Sequence, residues 1–96
     1  MLDNLRQEDF LPLIGRLIEV DLHGIRVQLE VKEAAAINSP SPRATPSFHI
    51  VLRSGADLRL TQGMMRFHHP DLGVLDLFAV PIGPDGKGLC YEIIFN

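Results

Sequence analysis

The stretch "RLIEVDLHGIRVQLEVK", residues 16–32, has the clearest alternation of apolar and polar side chains in the sequence. Its apolar positions are Ile18, Val20, Leu22, Ile25, Val27, Leu29 and Val31. Successive side chains of a strand point to opposite faces, so a period of two predicts strands with one buried and one solvated face. Gly24 interrupts the pattern and favours a tight connection. The stretch therefore predicts a hairpin in an antiparallel sheet.

Shorter alternating runs predict four more strands farther along the chain. They start near Phe48 and Met65 and in the segments "VLDLFAVPI", residues 74–82, and "LCYEIIF", residues 89–95. The connections "HPDLG", residues 69–73, and "GPDGKG", residues 83–88, contain proline, aspartate and glycine, which are typical of turns. Six strands at this spacing predict an all-β fold: a small antiparallel barrel or sandwich of about six strands.

Two segments lack the alternation of the strands. Residues 3–14, "DNLRQEDFLPLI", have loosely helical spacing and predict one short N-terminal helix, with Asp3 or Asn4 as caps and Pro12 close to its end. Residues 38–47, "NSPSPRATPS", contain three prolines and predict a loop. Neither part could hold a core alone, so residues 1–96 are expected to form a single domain.

Composition narrows the function classes. The 96 residues include nine basic and twelve acidic side chains, spread singly, with a formal charge of −3. Nucleic-acid binding relies on clustered cations, so we expect no nucleic-acid partner. No apolar run approaches the roughly 20 residues that cross a bilayer, so we expect no membrane association. Cys90 is the only cysteine, so the chain has no internal disulfide, which fits a reducing compartment. The N-terminal residues do not resemble a signal peptide. These features predict a cytoplasmic protein.

The histidines do not form a recognised metal motif. His68 and His69 are adjacent on a predicted strand, so their side chains should point to opposite faces. A site built from His49, His68 and Asp76 would require their strands to be neighbours, and none of these residues has the short spacing of known ligand pairs. We therefore expect no metal, with the histidines solvated or packed in turns.

No catalytic or cofactor-binding residues are predicted. A carboxylate neighbour such as Glu92 would raise the pKa of the Cys90 thiol, whereas a nucleophile needs it lowered. The carboxylates Glu19 and Asp21 lie where Arg26 can pair with them, as on an ordinary solvated face. The glycines of "GPDGKG" precede a strand, whereas a phosphate-binding loop precedes a helix. The protein is not expected to be an enzyme.

One set of side chains is a candidate interaction surface. Met64, Arg66 and His68 share the solvent side of one predicted strand, opposite Met65 and Phe67. An exposed methionine beside a cation and a histidine is a surface that another protein could recognise.

The segments "EDFLPLIG", residues 8–15, and "HPDLGVLDLFAVPIGPDGKGLCYEIIFN", residues 69–96, resemble a family of short bacterial proteins known as a domain of unknown function. Members start near LxxEDFxPLIG and end near HPxLGxLxLFxVPIGPDGxGxxYExIFN. The resemblance covers almost the whole chain and matches least in the proline loop. It implies an association with phage-tail-collar-like proteins, and hence an accessory role in a tail-like particle.

Together these features predict a non-enzymatic protein–protein interaction or assembly module. Its partner would be a tail-like protein or a second copy of the chain, since sheet edges make a homodimer possible. The alternative is a small β-barrel that binds a small apolar ligand in an interior hole lined by Phe48, Phe67 and Phe78.

Overall fold

The computed structural model describes residues 4–37 and 46–96. Two short 3-10 turns, Gln7–Asp9 and Leu11–Leu13, precede the strands of the described part. These strands are β1 (Leu17–Leu22), β2 (Ile25–Ala36), β3 (Phe48–Ser54), β4 (Gly63–His69), β5 (Gly73–Pro84) and β6 (Leu89–Phe95). All neighbouring strands are antiparallel. They close in the order β1-β2-β3-β6-β5-β4, so the all-β prediction is confirmed, and the fold is a barrel rather than a sandwich.

The first hairpin is confirmed. Val20 pairs with Val27 in β1 and β2, and His23 and Gly24 both have positive φ, 53° and 77°. Positive φ at both central residues matches the right-handed twist of the flanking strands, as in a type I′ turn. The alternation ends at a bulge between Val31 and Glu33, because a bulge adds one residue and breaks the period of two.

The N-terminal helical segment predicted over residues 3–14 consists of two 3-10 turns. Asp3 lies outside the described residues, and Arg6 occupies the N-cap position of the first turn. The Arg6 N–H donates to Asp9 Oδ2 at 2.8 Å. Pro12 falls in the first turn of the second segment, where its missing N–H costs no internal hydrogen bond.

Phe10 closes one end of the barrel. Its side chain is fully buried, and its ring centroid lies 5.7 Å from those of Phe48 and Phe67 and 5.4 Å from that of Phe95. The His69 ring approaches edge-on at 5.3 Å. Tilted and edge-to-face contacts at these separations are favourable beyond the burial of apolar area. The 3-10 turns therefore hold an aromatic plug in the barrel mouth.

Tyr91 closes the other end. Its hydroxyl donates to the Leu58 carbonyl at 3.3 Å and accepts the Leu60 N–H at 3.1 Å, and Ser54 Oγ lies 3.2 Å from the same oxygen. These bonds satisfy the polar atoms of an irregular segment that crosses the barrel end, with the Leu60 side chain buried beneath it. Side chains thus occupy both mouths of the barrel.

Most of the predicted proline loop, residues 38–45, lies outside the described residues, while Pro46 and Ser47 precede β3 without regular secondary structure. Among the described residues, no helix is long and apolar enough to cross a membrane.

Candidate interaction surface

The predicted surface residues lie together on the outside of β4. Met65, Phe67 and His69 point into the barrel and are buried, whereas Met64 is 60% exposed. Arg66 is exposed and His68 half-buried on the same outer side. The two-residue period of a strand is the cause of this separation.

β5 extends this surface. Three cross-strand pairs of β4 and β5 have outward side chains: Met64 with Phe78, Arg66 with Asp76, and His68 with Val74. We call these six residues the β4–β5 face. Phe78 is 50% and Val74 is 53% exposed. Large apolar side chains on two rows of an ordered sheet are unusual when they are contiguous, and such patches mark interaction sites in soluble proteins.

The placement of Phe78 corrects the expectation of an interior hole lined by Phe48, Phe67 and Phe78. Phe48 and Phe67 are buried against Phe10, but Phe78 is on the outer side of the sheet. The period of two explains this, because Leu77 and Ala79 point inward and the residue between them must point outward.

The middle row of the β4–β5 face carries one cation and one anion. Arg66 Nε and Asp76 Oδ1 lie 3.9 Å apart, and their side chains are 69% and 66% exposed. An ion pair at this distance and exposure contributes little to stability. Both charged groups are therefore available to a partner.

His68 is anchored at the edge of the face. Its Nε2 lies 3.1 Å from Asp21 Oδ2, and Arg26 Nε donates to Asp21 Oδ1 at 2.8 Å. The hydrogen bonds from Arg26 and then His68 lower the pKa of Asp21 to about 2. Asp21 is thus ionised near neutral pH and orients the His68 ring on the outside of the barrel.

His69 has a structural role, as expected. Its Nε2 bonds the Asp9 carbonyl at 2.7 Å, and its Nδ1 accepts the N–H groups of Asp71 and Leu72 at 3.1 and 3.2 Å. Gly73 follows with φ of 81°. The predicted HPDLG turn is confirmed, and the buried imidazole ties it to the N-terminal plug.

The conditional metal site of His49, His68 and Asp76 does not form. β3 is separated from β4 by two strands in either direction around the barrel, so His49 lies far from the other two residues. Within residues 4–37 and 46–96, no group of three or more potential ligands could hold a metal ion. The sequence did not predict the strand order, and this order keeps His49 apart from His68 and Asp76.

His49 instead bridges two carboxylates on the outside of β2, β3 and β6. Its Nε2 lies 2.7 Å from Glu33 Oε2, and its Nδ1 lies 2.7 Å from Glu92 Oε2. Burial of the ring is the largest influence and lowers the pKa of His49, but the hydrogen bonds to Glu92 and Glu33 outweigh it. The pKa is therefore raised above its ordinary value of 6.5. The carboxylates flank opposite ring nitrogens, so protonated His49 links three strands.

This link predicts a pH dependence of stability. Because folding raises the pKa of His49, its contribution is complete below about 6.5, the unfolded value, and is lost as pH rises through the folded pKa. The gap in unfolding free energy between wild type and His49→Gln should therefore shrink from mildly acidic to alkaline pH. Urea denaturation of both proteins across that range measures it, and a gap that widens with pH would contradict the assignment.

Asp85 organises a polar network that the sequence did not indicate. Its Oδ2 accepts from Arg53 at 2.7 Å and from Lys32 at 2.9 Å, and its Oδ1 accepts the N–H groups of Lys87 and Gly88. Hydrogen bonds from Lys32 and then Arg53 hold the pKa of Asp85 far below its usual range. The network fastens the β5–β6 loop to β2 and β3, and its long sequence separations explain why no local pattern indicated it.

Cys90 lies beside this network. Its side chain is buried, and burial, followed by the negative charge of Asp85, raises the pKa of the thiol. The carboxylate that acts on the thiol is therefore Asp85 rather than Glu92, which the sequence suggested. A buried thiol with a raised pKa lacks the properties of an activated nucleophile.

Met64, Arg66 and His68 of the β4–β5 face were predicted from the sequence as surface residues, whereas Val74, Asp76 and Phe78 of the same face were not. Val74, Asp76 and Phe78 alternate with Leu75 and Leu77 along "VLDLF", residues 74–78, so the two sets should point to opposite faces of the strand. The polar side chain of Asp76 is the signal that its side of the strand faces solvent.

Comparison with known protein families gives a match over almost the whole chain. The family model described as "Domain of unknown function (DUF6916)" matches residues 5–95. No curated protein matches the chain, and no solved structure matches it.

Proposed function

The chain belongs to this domain-of-unknown-function family (DUF6916), and on that premise we propose that it is a non-enzymatic protein–protein interaction module. It serves in assembly by docking another protein chain on the β4–β5 face. We further propose that it acts in the cytoplasm, where the lone thiol of Cys90 stays reduced.

The observation that carries this proposal is the exposure of Met64, Val74 and Phe78, at 60, 53 and 50%. These side chains are held by paired strands, so the chain loses little conformational entropy when a partner covers them. Methionine and phenylalanine are enriched at the centres of protein interfaces. Val80, farther along β5, and Ile94 on the neighbouring β6 are also exposed, at 36 and 52%, which enlarges the apolar surface.

The partner is a protein component of a tail-like particle or a second copy of the chain. The resemblance to a family linked with phage-tail-collar-like proteins supports the first, and the pairing of one cation with one anion on the face supports the second. A small apolar ligand inside the barrel has less support, because Phe10 and Tyr91 fill the two mouths and Phe78 lies outside.

Affinity capture from the native host, followed by mass spectrometry, tests the proposal. Wild type, Phe78→Ser and Leu17→Ser are compared, because Leu17 is also exposed, at 61%, but lies on β1 outside the β4–β5 face. We expect wild type and Leu17→Ser to retain the same partner, either a tail-like protein or the untagged chain. Phe78→Ser should lose it, since alanine-type truncation of a central aromatic residue weakens binding by about 2 kcal/mol or more.

The proposal fails if wild type retains no partner, including no second copy of itself. It also fails if Phe78→Ser and Leu17→Ser retain the partner equally. Thermal unfolding of each variant shows whether the fold is intact, which we expect because both replaced side chains are at least half exposed.

A further inference from the structure

We propose that the chain docked on the β4–β5 face is a second copy of the same chain. The two copies are related by a two-fold axis that lies in the interface, parallel to the strands and between β4 and β5. This inference rests on the proposed function and names its partner.

The cross-strand rows of the β4–β5 face fit this two-fold axis. A two-fold axis between β4 and β5 places β4 of one copy over β5 of the other and keeps each row at its own height. Each member of a cross-strand pair then faces the other member in the second copy, as an isologous interface requires. Met64 meets Phe78 of the second copy, and His68 meets Val74. The apolar row of Met64 and Phe78 therefore contacts the same apolar row of the second copy, and Val74 packs on the His68 ring, without a shift along the strands.

The charged row supplies the specific evidence for self-association. Arg66 and Asp76 are paired across the strands, and each is about two-thirds exposed. The axis brings Arg66 of each copy to Asp76 of the other, so two intermolecular ion pairs form in place of weak contacts at 3.9 Å. Both pairs lose water when the two flanking rows close beside them, which strengthens the attraction between their charges.

The balance of charge on the face favours a second copy over other occupants. A strongly basic or acidic partner would leave Arg66 or Asp76 against a like charge, which costs binding energy. A surface with one cation and one anion in mirrored positions is complementary to itself. The contact is centred on two strands of a convex barrel, so the dimer should be weak and should depend on concentration.

Charge reversal tests the pairing. Arg66→Asp places aspartate against Asp76 of the second copy at two points, and Asp76→Arg places two arginines together. Each variant alone should associate at least about tenfold more weakly than wild type, because like charges face each other. In an equimolar mixture of the two variants, every aspartate faces an arginine. We therefore expect the mixture to form a heterodimer with an affinity close to that of wild type.

Sedimentation equilibrium of the three proteins and the mixture measures these affinities. Arg59→Asp is the matched control, because it changes the net charge as Arg66→Asp does but lies on an exposed position outside the face; it should dimerise like wild type. Circular dichroism confirms folding, and Phe78→Ser provides a second, uncharged disruption of the dimer.

Two results would overturn the inference: a mixture that stays as monomeric as its components, or single variants that dimerise like wild type. A wild type that remains monomeric at millimolar concentration would also overturn it. If Phe78 is still required to capture a different protein in that case, the docking face stands and only the second-copy assignment fails.

Discussion

Replacing Phe10 by alanine should lower the free energy of unfolding by about 3–5 kcal/mol, the range for a fully buried phenylalanine. Its ring is buried completely and contacts three other phenylalanines and His69. The strands that form the barrel mouth cannot collapse inward to fill the space, because their backbone is fixed by the closed hydrogen-bonded sheet. Urea denaturation followed by circular dichroism measures the loss.

Leu11→Ala is the control for Phe10. Leu11 is the next residue but is 43% exposed, so its truncation should cost less than about 1 kcal/mol. If Phe10→Ala is no more destabilising than Leu11→Ala, the N-terminal turns do not plug the barrel.

Replacing Gly88 by alanine should cost about 3 kcal/mol or more, the upper part of the range for overpacking. A Cβ at this position would clash with the carbonyl oxygen of Ser54, and Ser54 pairs with the next residue, Leu89. Relief of the clash requires the β5–β6 loop to move. That movement also weakens the hydrogen bond from the Gly88 N–H to Asp85. This bond helps to orient the Asp85 carboxylate toward Arg53.

Gly55→Ala is the matched control, because no atom of residues 4–37 and 46–96, apart from its chain neighbours, lies within 4 Å of a Cβ built there. Its effect should stay within about 0.5 kcal/mol, as for ordinary surface changes. Thermal denaturation compares the two variants. Equal melting temperatures would contradict the close approach of the loop to β3.

Local pattern was sufficient to predict the strands. Most apolar residues of the first hairpin, such as Val20 and Leu29, are buried as their alternation indicated, but Ile25 beside the turn is 43% exposed. The positive φ of Gly73 was predictable because few other residues accept that conformation. These features depend on residues that are close in sequence, so a short stretch of sequence is enough to predict each of them.

Features that depend on distant residues were not predictable from one sequence. A barrel and a sandwich have the same alternation, so closure between β1 and β4 left no local signal. The Asp85 network joins residues from β2, β3 and the β5–β6 loop, which are distant in sequence, so it left no local signal either. The ligand-binding alternative placed Phe78 in an interior hole, which is wrong, because Phe78 lies between the inward Leu77 and Ala79 and is 50% exposed. Where residue type and period disagree in a strand, the period decides the face.

The most direct test of the β4–β5 face as a self-docking surface uses two adjacent methionines. Met64 is 60% exposed on the face, and Met65 is fully buried inside the barrel. Methyl NMR spectra of selectively labelled protein are recorded as its concentration rises. We predict that the Met64 methyl resonance shifts with concentration while that of Met65 stays fixed, and that Phe78→Ser abolishes the shift. A Met64 resonance that remains unchanged up to millimolar concentration would contradict the account.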